Sequence, residues 1–446
     1  MPVPTATVAP AVDDRAWTPA RRAAAAAALA ALLLLAAVLF IRAGLMGAYL
    51  AADDFQWLAG GRRFDSARIL DIAARGHFYR PAIDIWFALT SAGCGFSAGC
   101  FHFANLIVHV MNVGLVFTLA LALFKDLRTA FLGALVFALE PGYTQAVVWV
   151  SAITGLLATF SILSSLLAQV ASWSAPDGPR RFAWEILAVA LAFLAVFSHE
   201  AGITLPVLSV VMWWQFGPRG RRPGLILMGG FALATAAFAT TAIIANRRNY
   251  VFTESHYTIG LHAIRHGLDY FVALYVGPGW WLAYLGCIVG IALLLAATPR
   301  TRFGAIWLLV TVVPYLGFTW GNVSRYLYLP SIGFAIALAA AVVSAGDALS
   351  VRYRAARRPI QAGGFVVAAF IVLRFLRFDN ASIRTEIQLL EPWRAYAMAV
   401  LATAPAANAN VVHLPPPKDP QIETGYLEPM ARWIYRNDDV TVVVDR

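Results

Sequence analysis

Long runs of apolar residues, separated by short polar segments, make up most of this chain. The first run extends from Arg22 to Ile41 and matches the length of about 20 residues that an α-helix needs to cross a hydrocarbon core. Helices of soluble proteins instead carry a narrower apolar stripe opposite a polar face. The pattern therefore predicts an all-α, polytopic membrane protein.

We expect about eleven transmembrane helices, some of them shorter than a full crossing. After the first run, the predicted spans lie at about 104–124, 128–141, 147–170, 183–198, 201–216, 223–245, 281–297, 303–320, 326–345 and 362–378. This pattern divides the chain into an N-terminal segment, a transmembrane domain and a C-terminal segment, at residues 1–21, 22–378 and 379–446. A long first loop with amphipathic helices is predicted at about 42–103, and a further loop at about 246–280.

Basic residues indicate the orientation of the chain. Arg21 and Arg22 precede the first span, which predicts a retained signal anchor with a cytoplasmic N-terminus. The basic loops that fall on the same side in this threading contain Lys125 and Arg128, Arg180 and Arg181, Arg219, Arg221 and Arg222, Arg300 and Arg302, and Arg352 to Arg358. The long loops and the C-terminal segment then lie outside. Segment 261–277 is apolar enough to insert, but a further crossing would reverse every later basic loop, which favours an interfacial helix.

Composition agrees with this interpretation. Hydrophobic residues make up 60% of the chain and charged residues 13%, against about 25% charged in soluble domains. The formal net charge of +10 would suggest nucleic acid in a soluble protein, but here the positive charge lies in loops and predicts no nucleic-acid partner. Cys94 and Cys100 fall in the first outer loop, where a disulfide and two free thiols are equally expected.

Asp53 and Asp54 stand side by side shortly after the first span, followed by Phe55 and Trp57. Such a pair can accept a proton from a hydroxyl group, or hold a divalent cation such as Mg²⁺ or Mn²⁺ against a phosphate. For the pair taken alone, a solvated acidic turn is the simpler interpretation.

The second predicted span carries a polar stripe. His102, Asn105, His109 and Asn112 recur at helical spacing, which places them on one face at about 100° per residue. Because imidazole and amide groups are costly in lipid, this face is expected to look into the bundle or a wet cavity. Hydrogen bonding between helices without a catalytic role is the alternative.

Polar turns are predicted at the outer ends of later helices. One contains Glu140 and Tyr143, and another contains His199 and Glu200. Each turn alone is as well explained by a position at headgroup level. These two turns, together with the acidic pair on the same face, predict a site there.

Arginines also occur on the outer side, where the positive-inside bias does not place them. Arg80 follows Phe78 and Tyr79, and Arg325 precedes Tyr326. An outward arginine binds anions such as a phosphate headgroup or a carboxylate. Both residues are therefore candidates for phosphate binding.

Taken in order, these segments resemble the GT-C superfamily of polyprenyl-phosphate-sugar-dependent glycosyltransferases, nearest to the transmembrane O-mannosyltransferase branch and its bacterial relatives. The resemblance rests on Asp53 to Phe55, Tyr79 to Pro81, Phe101 and His102 with Asn105 and His109, Ala138 to Ser151, Glu200 with Gly202 and Thr204, and Arg325 to Gly333. It implies that the acidic pair is catalytic, one member serving as base toward the acceptor or as a metal ligand. It also implies that basic residues at the outer helix ends hold the lipid phosphate.

The chain departs from that family pattern at two places. The Pro-x-His-Thr-Glu stretch of relatives is Pro141 to Gln145 here, with Tyr143 and Gln145 at the histidine and glutamate positions. His199 stands where a lysine often precedes the glutamate, which would make a phosphate contact sensitive to pH.

The expected function is inverting transfer of a hexosyl or pentosyl group from a polyprenyl-phosphate donor to a hydroxyl group of a glycan, lipid or protein acceptor. We expect it at the periplasmic face of a bacterial inner membrane. The predicted roles are base or metal ligand for Asp53 and Asp54, donor binding for Arg80, His199, Arg325 and Tyr326, and acceptor pocket for His102, Asn105, His109, Glu140, Tyr143 and Glu200. Two alternatives stay open: a transporter or flippase for a lipid-linked substrate, and a non-catalytic assembly subunit.

Overall fold

A computed structural model describes residues 18–73, 78–222, 224–275, 281–319, 323–354, 357–403 and 411–444. Residues 1–17 of the predicted N-terminal segment and residues 276–280 of the second long loop lie outside the described residues.

Helices dominate the described residues. In chain order they are α1 (Pro19–Ala43), α2 (Asp53–Arg62), α3 (Ala67–Leu70), α4 (Pro81–Cys94), α5 (Ala98–Phe124), α6 (Leu127–Ala138), α7 (Gln145–Val148), α8 (Ile153–Ser174), α9 (Pro179–Ser198), α10 (Leu205–Phe216), α11 (Leu225–Ala245), α12 (Tyr250–Thr253), α13 (His262–Tyr275), α14 (Trp281–Ala297), α15 (Pro299–Val312), α16 (Tyr328–Arg352), α17 (Arg357–Gln388), α18 (Glu391–Thr403) and α19 (Leu427–Ile434). A helix lies at each of the predicted spans, and the first long loop contains α2, α3 and α4.

Within this described part of the chain, six helices are long and apolar enough to cross a membrane by length and composition. They correspond to α1, α5, α8, α9, α11 and α16, while α6 and α14 are shorter apolar helices. The all-α membrane protein predicted from the sequence is confirmed. A total of about eleven crossings stays a prediction, as does the interfacial position of α13.

Local sequence signals explain where the first helix begins and ends. The Thr18 side chain accepts a hydrogen bond from the backbone N–H of Arg21 at 3.3 Å, and Pro19 occupies the first helical position. Gly44 ends the helix with φ of +100°, a left-handed conformation that glycine adopts without steric cost. The chain can then turn toward α2.

One end of the bundle collects several of the basic loops. The Arg21 guanidinium donates to the Lys125 carbonyl oxygen at 2.6 Å, and Arg300 lies 3.2 Å from an oxygen of Asp126. We call this the basic end. Helix α5 finishes here and begins at the opposite end, the site end, where Asp53, Arg80 and Arg325 lie. The basic loops and the segments that carry the candidate site residues therefore occupy opposite ends of the bundle.

The C-terminal segment is not purely helical. Strands β1 (Val411–Leu414) and β2 (Thr441–Val444) pair in parallel, with α19 between them in sequence. The all-α prediction did not include this small sheet. The predicted boundary between residues 378 and 379 falls inside α17, which continues to Gln388.

Candidate active site

Asp54 is the fully buried member of the acidic pair at the start of α2. Its Oδ1 atom accepts hydrogen bonds from the backbone N–H of Ser151 at 2.7 Å and from the Ser151 hydroxyl at 2.5 Å. Its Oδ2 atom accepts one from the backbone N–H of Ala51 at 3.0 Å. Burial raises the pKa of Asp54 to about 7, and the charge of Asp53 acts in the same direction. Both oxygens are thus engaged in joining two chain segments.

Asp53 has a different environment. It is partly exposed, and its Oδ1 atom is buried without a hydrogen-bond partner among the described residues. Burial raises the pKa of Asp53. The positive charge of Arg325, side-chain hydrogen bonds from Ser151 and Trp149, and the charge of Arg80 oppose this rise. Ala52 before it has φ of +46°, a conformation that costs a non-glycine residue about 1 to 3 kcal/mol. A strained turn therefore presents one available carboxylate to the field of two guanidinium groups.

The polar stripe of α5 holds the segments that carry this pair. His102 Nε2 lies 3.1 Å from the Tyr49 carbonyl oxygen, just before α2. The Asn105 side-chain amide donates to the carbonyl oxygens of Trp149 at 3.0 Å and Val150 at 3.2 Å, just before Ser151. The half of the stripe nearer the site end, His102 and Asn105, thus positions the backbone around the acidic pair.

The half of the stripe further from the site end, His109 and Asn112, connects helices instead. His109 Nδ1 lies 2.9 Å from the Tyr328 hydroxyl, and the Asn112 amide donates to the same hydroxyl at 3.2 Å and to the Leu156 carbonyl oxygen at 3.0 Å. All three polar side chains are fully buried. The structure therefore places His109 in a contact between α5 and α16.

Arg80 and Glu200 form a bidentate ion pair at the site end. Arg80 Nε donates to Glu200 Oε1 at 3.0 Å, and Arg80 Nη2 donates to Oε2 at 2.6 Å. Burial by itself would raise the pKa of Glu200, but Arg80 outweighs it and holds this pKa at about 2. The pair ties the start of α4 to the turn before α10.

His199 enters the site as a neutral imidazole. Its Nδ1 atom accepts a hydrogen bond from the backbone N–H of Ala201 at 3.1 Å, which assigns the proton to Nε2. Burial lowers the pKa of His199 to about 4, and the charges of Arg80 and Arg325 lower it further against the opposing charge of Glu200. His199 can therefore donate a hydrogen bond at neutral pH without carrying charge.

Of the two outward arginines, Arg325 has the guanidinium group more available to an anion. It donates to Gln145 Oε1 at 3.2 Å and lies over the Trp149 ring at 4.6 Å, yet it makes no ion pair with a carboxylate of the described residues. The next residue, Tyr326, stacks on Tyr315 with ring centroids 4.6 Å apart. Aromatic faces thus hold a cation whose charge is not neutralised by a direct ion pair.

A cavity of about 330 Å³ opens beside Arg325. It is lined by Pro141, Gly142, Tyr270, Ala273, Val323, Ser324 and Leu327. These side chains come from α13, from the turn after α6 and from the segment that contains Arg325. The cavity is lined mostly by apolar groups, next in the chain to Arg325.

Glu140 and Tyr143 shape the turn on one side of this cavity. Glu140 Oε1 accepts a hydrogen bond from the backbone N–H of Gly142 at 3.0 Å. The Tyr143 hydroxyl donates to the Phe137 carbonyl oxygen. Both side chains are buried within the protein, so they support the turn.

Cys94 and Cys100 are joined by a disulfide between α4 and α5. Sequence reasoning assigned no role to Ser151, which binds Asp54, or to Gln145, which binds Arg325. Gln145 did mark a departure from the family pattern, and this departure was the sequence signal that could have identified it as a site residue. Ser151 carried none, because a serine in a short turn is common.

No protein-family model matches the chain. Among solved structures, the archaeal oligosaccharyltransferase AglB from Archaeoglobus fulgidus, in complex with an inhibitory peptide and a dolichol-phosphate, is similar with a TM-score of 0.53. The match covers 82% of this chain and 56% of that chain at 14% sequence identity. This chain has the GT-C fold. The fold that the sequence resemblance implied is therefore confirmed.

Two further comparisons give matches. An oligosaccharyltransferase of Archaeoglobus fulgidus in complex with Zn and sulfate matches with a TM-score of 0.50 and 14% identity, over 83% of this chain and 55% of that chain. Protein O-mannosyl-transferase TMTC3 of Mus musculus is 31% identical over 132 residues, which covers 28% of this chain and 14% of TMTC3. The chain thus spans about half the length of the solved relatives and aligns with a small part of TMTC3.

At this candidate site, a divalent cation would find one carboxylate with an unpartnered oxygen, that of Asp53. Both oxygens of Asp54 already accept hydrogen bonds, and the described residues contain no group of three or more His, Cys, Asp or Glu side chains that could hold a metal ion. Mg²⁺ would have to take most of its ligands from substrate phosphate and water. The described residues do not form a metal site by themselves.

Proposed function

We propose that this chain is a membrane glycosyltransferase that moves a hexosyl or pentosyl group from a polyprenyl-phosphate donor to an acceptor hydroxyl group. The observation that carries the proposal is the division between the two aspartates. Asp53 keeps an unpartnered oxygen in the field of Arg325 and Arg80, while Asp54 is engaged with the backbone. A proton acceptor opposite a cation is what displacement of a phosphate by a hydroxyl group requires.

Asp53 is the base in this mechanism. It takes the proton of the acceptor hydroxyl as the hydroxyl oxygen forms a bond to the anomeric carbon. The bond from that carbon to the phosphate oxygen breaks, and polyprenyl phosphate leaves with the electron pair. One displacement inverts the anomeric configuration.

Arg325 binds the leaving phosphate. It makes no direct ion pair with a described carboxylate, so little rearrangement is needed before it meets an anion. His199 adds a neutral N–H donor from Nε2 to the leaving phosphate, and Tyr326 lies beside the same phosphate. Arg80 contributes positive charge while it remains paired with Glu200. The first isoprene units occupy the cavity lined by Tyr270 and Leu327.

The site is proposed to face the periplasm of a bacterial inner membrane, with the basic end in the cytoplasm. The acceptor is a glycan, lipid or protein hydroxyl. AglB was solved with a dolichol-phosphate and an inhibitory peptide, which supports a lipid-linked donor and leaves the acceptor class open.

The test is release of free polyprenyl phosphate by purified protein supplied with undecaprenyl-phosphate sugars and candidate acceptors. Asp53→Asn should lower kcat by about 100-fold or more, the range expected on loss of a general base. Asp65→Asn, an exposed carboxylate of the same loop, is the matched control and should stay at the wild-type rate. Full turnover by Asp53→Asn would remove the base assignment, and flux of intact donor across vesicles without phosphate release would favour the flippase.

The same assay tests the metal question. Wild-type rates are compared with EDTA and with added Mg²⁺ or Mn²⁺. Because the described residues offer one available carboxylate, the proposal expects turnover to persist in EDTA.

A further inference from the structure

Helix α2, which begins with the acidic pair, ends at a residue bound by the far end of the chain. Arg62, its last residue, donates from Nη2 to Asp438 Oδ1 at 2.9 Å and from Nε to the same atom at 3.1 Å. The Arg62 side chain is 10% exposed and that of Asp438 30% exposed. A largely buried, charge-assisted contact thus joins residues 376 positions apart in the sequence.

Aromatic rings enclose the same guanidinium. The Arg62 Cζ atom lies 4.6 Å from the Phe96 ring centroid and 5.7 Å from that of Trp433. Phe96 belongs to the loop closed by the Cys94–Cys100 disulfide, and Trp433 to α19. The two rings also contact each other at 5.3 Å. Arg62 is therefore held by three side chains from two separate segments.

The C-terminal segment contacts the other end of α2 as well. Trp393 of α18 lies 5.9 Å from the ring of Phe55, the residue after Asp54. Trp393 also contacts Tyr426 at 6.1 Å. Both ends of a ten-residue helix are therefore fixed by the C-terminal segment.

We propose that the C-terminal segment is a positioning element for the active-site helix, acting through the Arg62–Asp438 contact. This inference rests on the proposed function for its catalytic consequence. Asp438 does not touch the reacting groups. It fixes the end of α2, and the short rigid helix transmits that constraint to Asp53.

The neighbouring pair supplies a matched control. Arg63 and Asp439 are one position further along, carry the same charges and lie 3.3 Å apart. Their side chains are 40% and 87% exposed, so solvent screens this contact. Asp438→Asn and Asp439→Asn remove the same charge from adjacent positions, and only the first acts on the enclosed guanidinium.

Hydrogen exchange of the full-length protein in nanodiscs, read by mass spectrometry on peptides covering 53–62, tests the inference without any substrate. Asp438→Asn should speed exchange in α2 by about tenfold, the change in a local opening equilibrium expected when a charge-assisted contact is lost. Asp439→Asn should leave it unchanged, and Asp438→Glu should restore slow exchange. Equal exchange in Asp438→Asn and Asp439→Asn would overturn the inference.

The catalytic consequence is a lower kcat in Asp438→Asn with the acceptor and donor KM unchanged. This pattern indicates a displaced base rather than a lost binding contact. A KM effect with kcat intact would contradict the positioning role. If wild type transfers no sugar from any donor, the proposed function fails, and the exchange experiment still decides whether Asp438 fixes α2.

Discussion

Asp53 and Asp54 are the same residue type in adjacent positions, yet their oxygen atoms meet different partners. Both carboxylate oxygens of Asp54 accept hydrogen bonds from Ala51 and Ser151. Asp53 has one carboxylate oxygen without a hydrogen-bond partner among the described residues. Because a hydrogen-bonded carboxylate stabilises the turn it binds, we propose that Asp54 acts on structure and Asp53 on chemistry. Predictions for single residues follow from this division.

Loss of the Asp54 charge should destabilise the protein. Asp54→Asn would present an NH₂ group to either Ala51 or Ser151, where an acceptor is needed. An unsatisfied buried group of this kind costs about 1 to 3 kcal/mol. Thermal unfolding in detergent should show a lower Tm than wild type, whereas Asp65→Asn should not. An unchanged Tm in Asp54→Asn would contradict the assignment.

The pH dependence of turnover should reflect the buried pair. A base must be ionised, and burial raises the pKa of Asp53 and brings that of Asp54 to about 7. Raised carboxyl pKa values move the loss of activity upward from the ordinary aspartate range near 4. We expect kcat at saturating substrate to fall with decreasing pH already above the ordinary aspartate range, because the pKa of the base is raised. A flat profile down to about pH 5 would count against a buried aspartate base.

The two outward arginines should differ in kinetics. Arg325 makes no ion pair with a described carboxylate, whereas Arg80 is committed to Glu200. Arg325→Ala should raise the donor KM by about tenfold or more, since a charge-assisted phosphate contact is lost. Arg80→Ala should chiefly lower the Tm, because it leaves a partly buried Glu200 without its partner. Equal KM changes would refute this division.

At the level of elements, α5 has two functions along one polar face. His102 and Asn105 bind the backbone on either side of the acidic pair, and His109 and Asn112 bind Tyr328 of α16. The sequence predicted the stripe and left a wet cavity and interhelical hydrogen bonding as alternatives. In the structure, the residues nearer the site hold loop backbone in place, and the deeper ones form hydrogen bonds between helices.

This division can be tested with a pair of variants. Asn105→Ala frees the carbonyl oxygens of Trp149 and Val150 and should lower kcat, because the segment before Ser151 loosens. Tyr328→Phe removes the hydroxyl shared by His109 and Asn112 and should lower the Tm with kcat and KM retained. Steady-state kinetics and thermal unfolding of both proteins decide the matter. A kinetic defect in Tyr328→Phe would extend the site down the helix.

For the whole molecule, the distribution of charge predicts the orientation. Arg21, Arg300 and their partners gather at the basic end, and the loops around Arg181 and Arg222 also contact each other through a hydrogen bond of 3.3 Å. The positive-inside rule places such loops in the cytoplasm. Under the proposed function we expect the site end to face the periplasm, where lipid-linked sugar donors would present their headgroups.

Cysteine labelling tests this orientation. Glu254→Cys lies in the second long loop and Asp177→Cys in the loop between α8 and α9, at side chains 64% and 74% exposed. In a Cys287→Ser background, a membrane-impermeant maleimide should label the cysteine at position 254 in intact spheroplasts. The cysteine at 177 should react only after permeabilisation. The reverse labelling pattern would contradict this orientation.

The sequence by itself determined the helices, their order and the chemistry on offer, because apolar run length, helical spacing and residue type are local properties. It placed Asp53, Arg325 and Glu200 among the candidates for one site. Only the tertiary structure decided that Asp54 is engaged with the backbone, that Glu200 belongs to Arg80, and that Asp438 binds the end of α2. Those contacts join positions far apart in the chain, and which oxygen remains available depends on packing that no local pattern encodes.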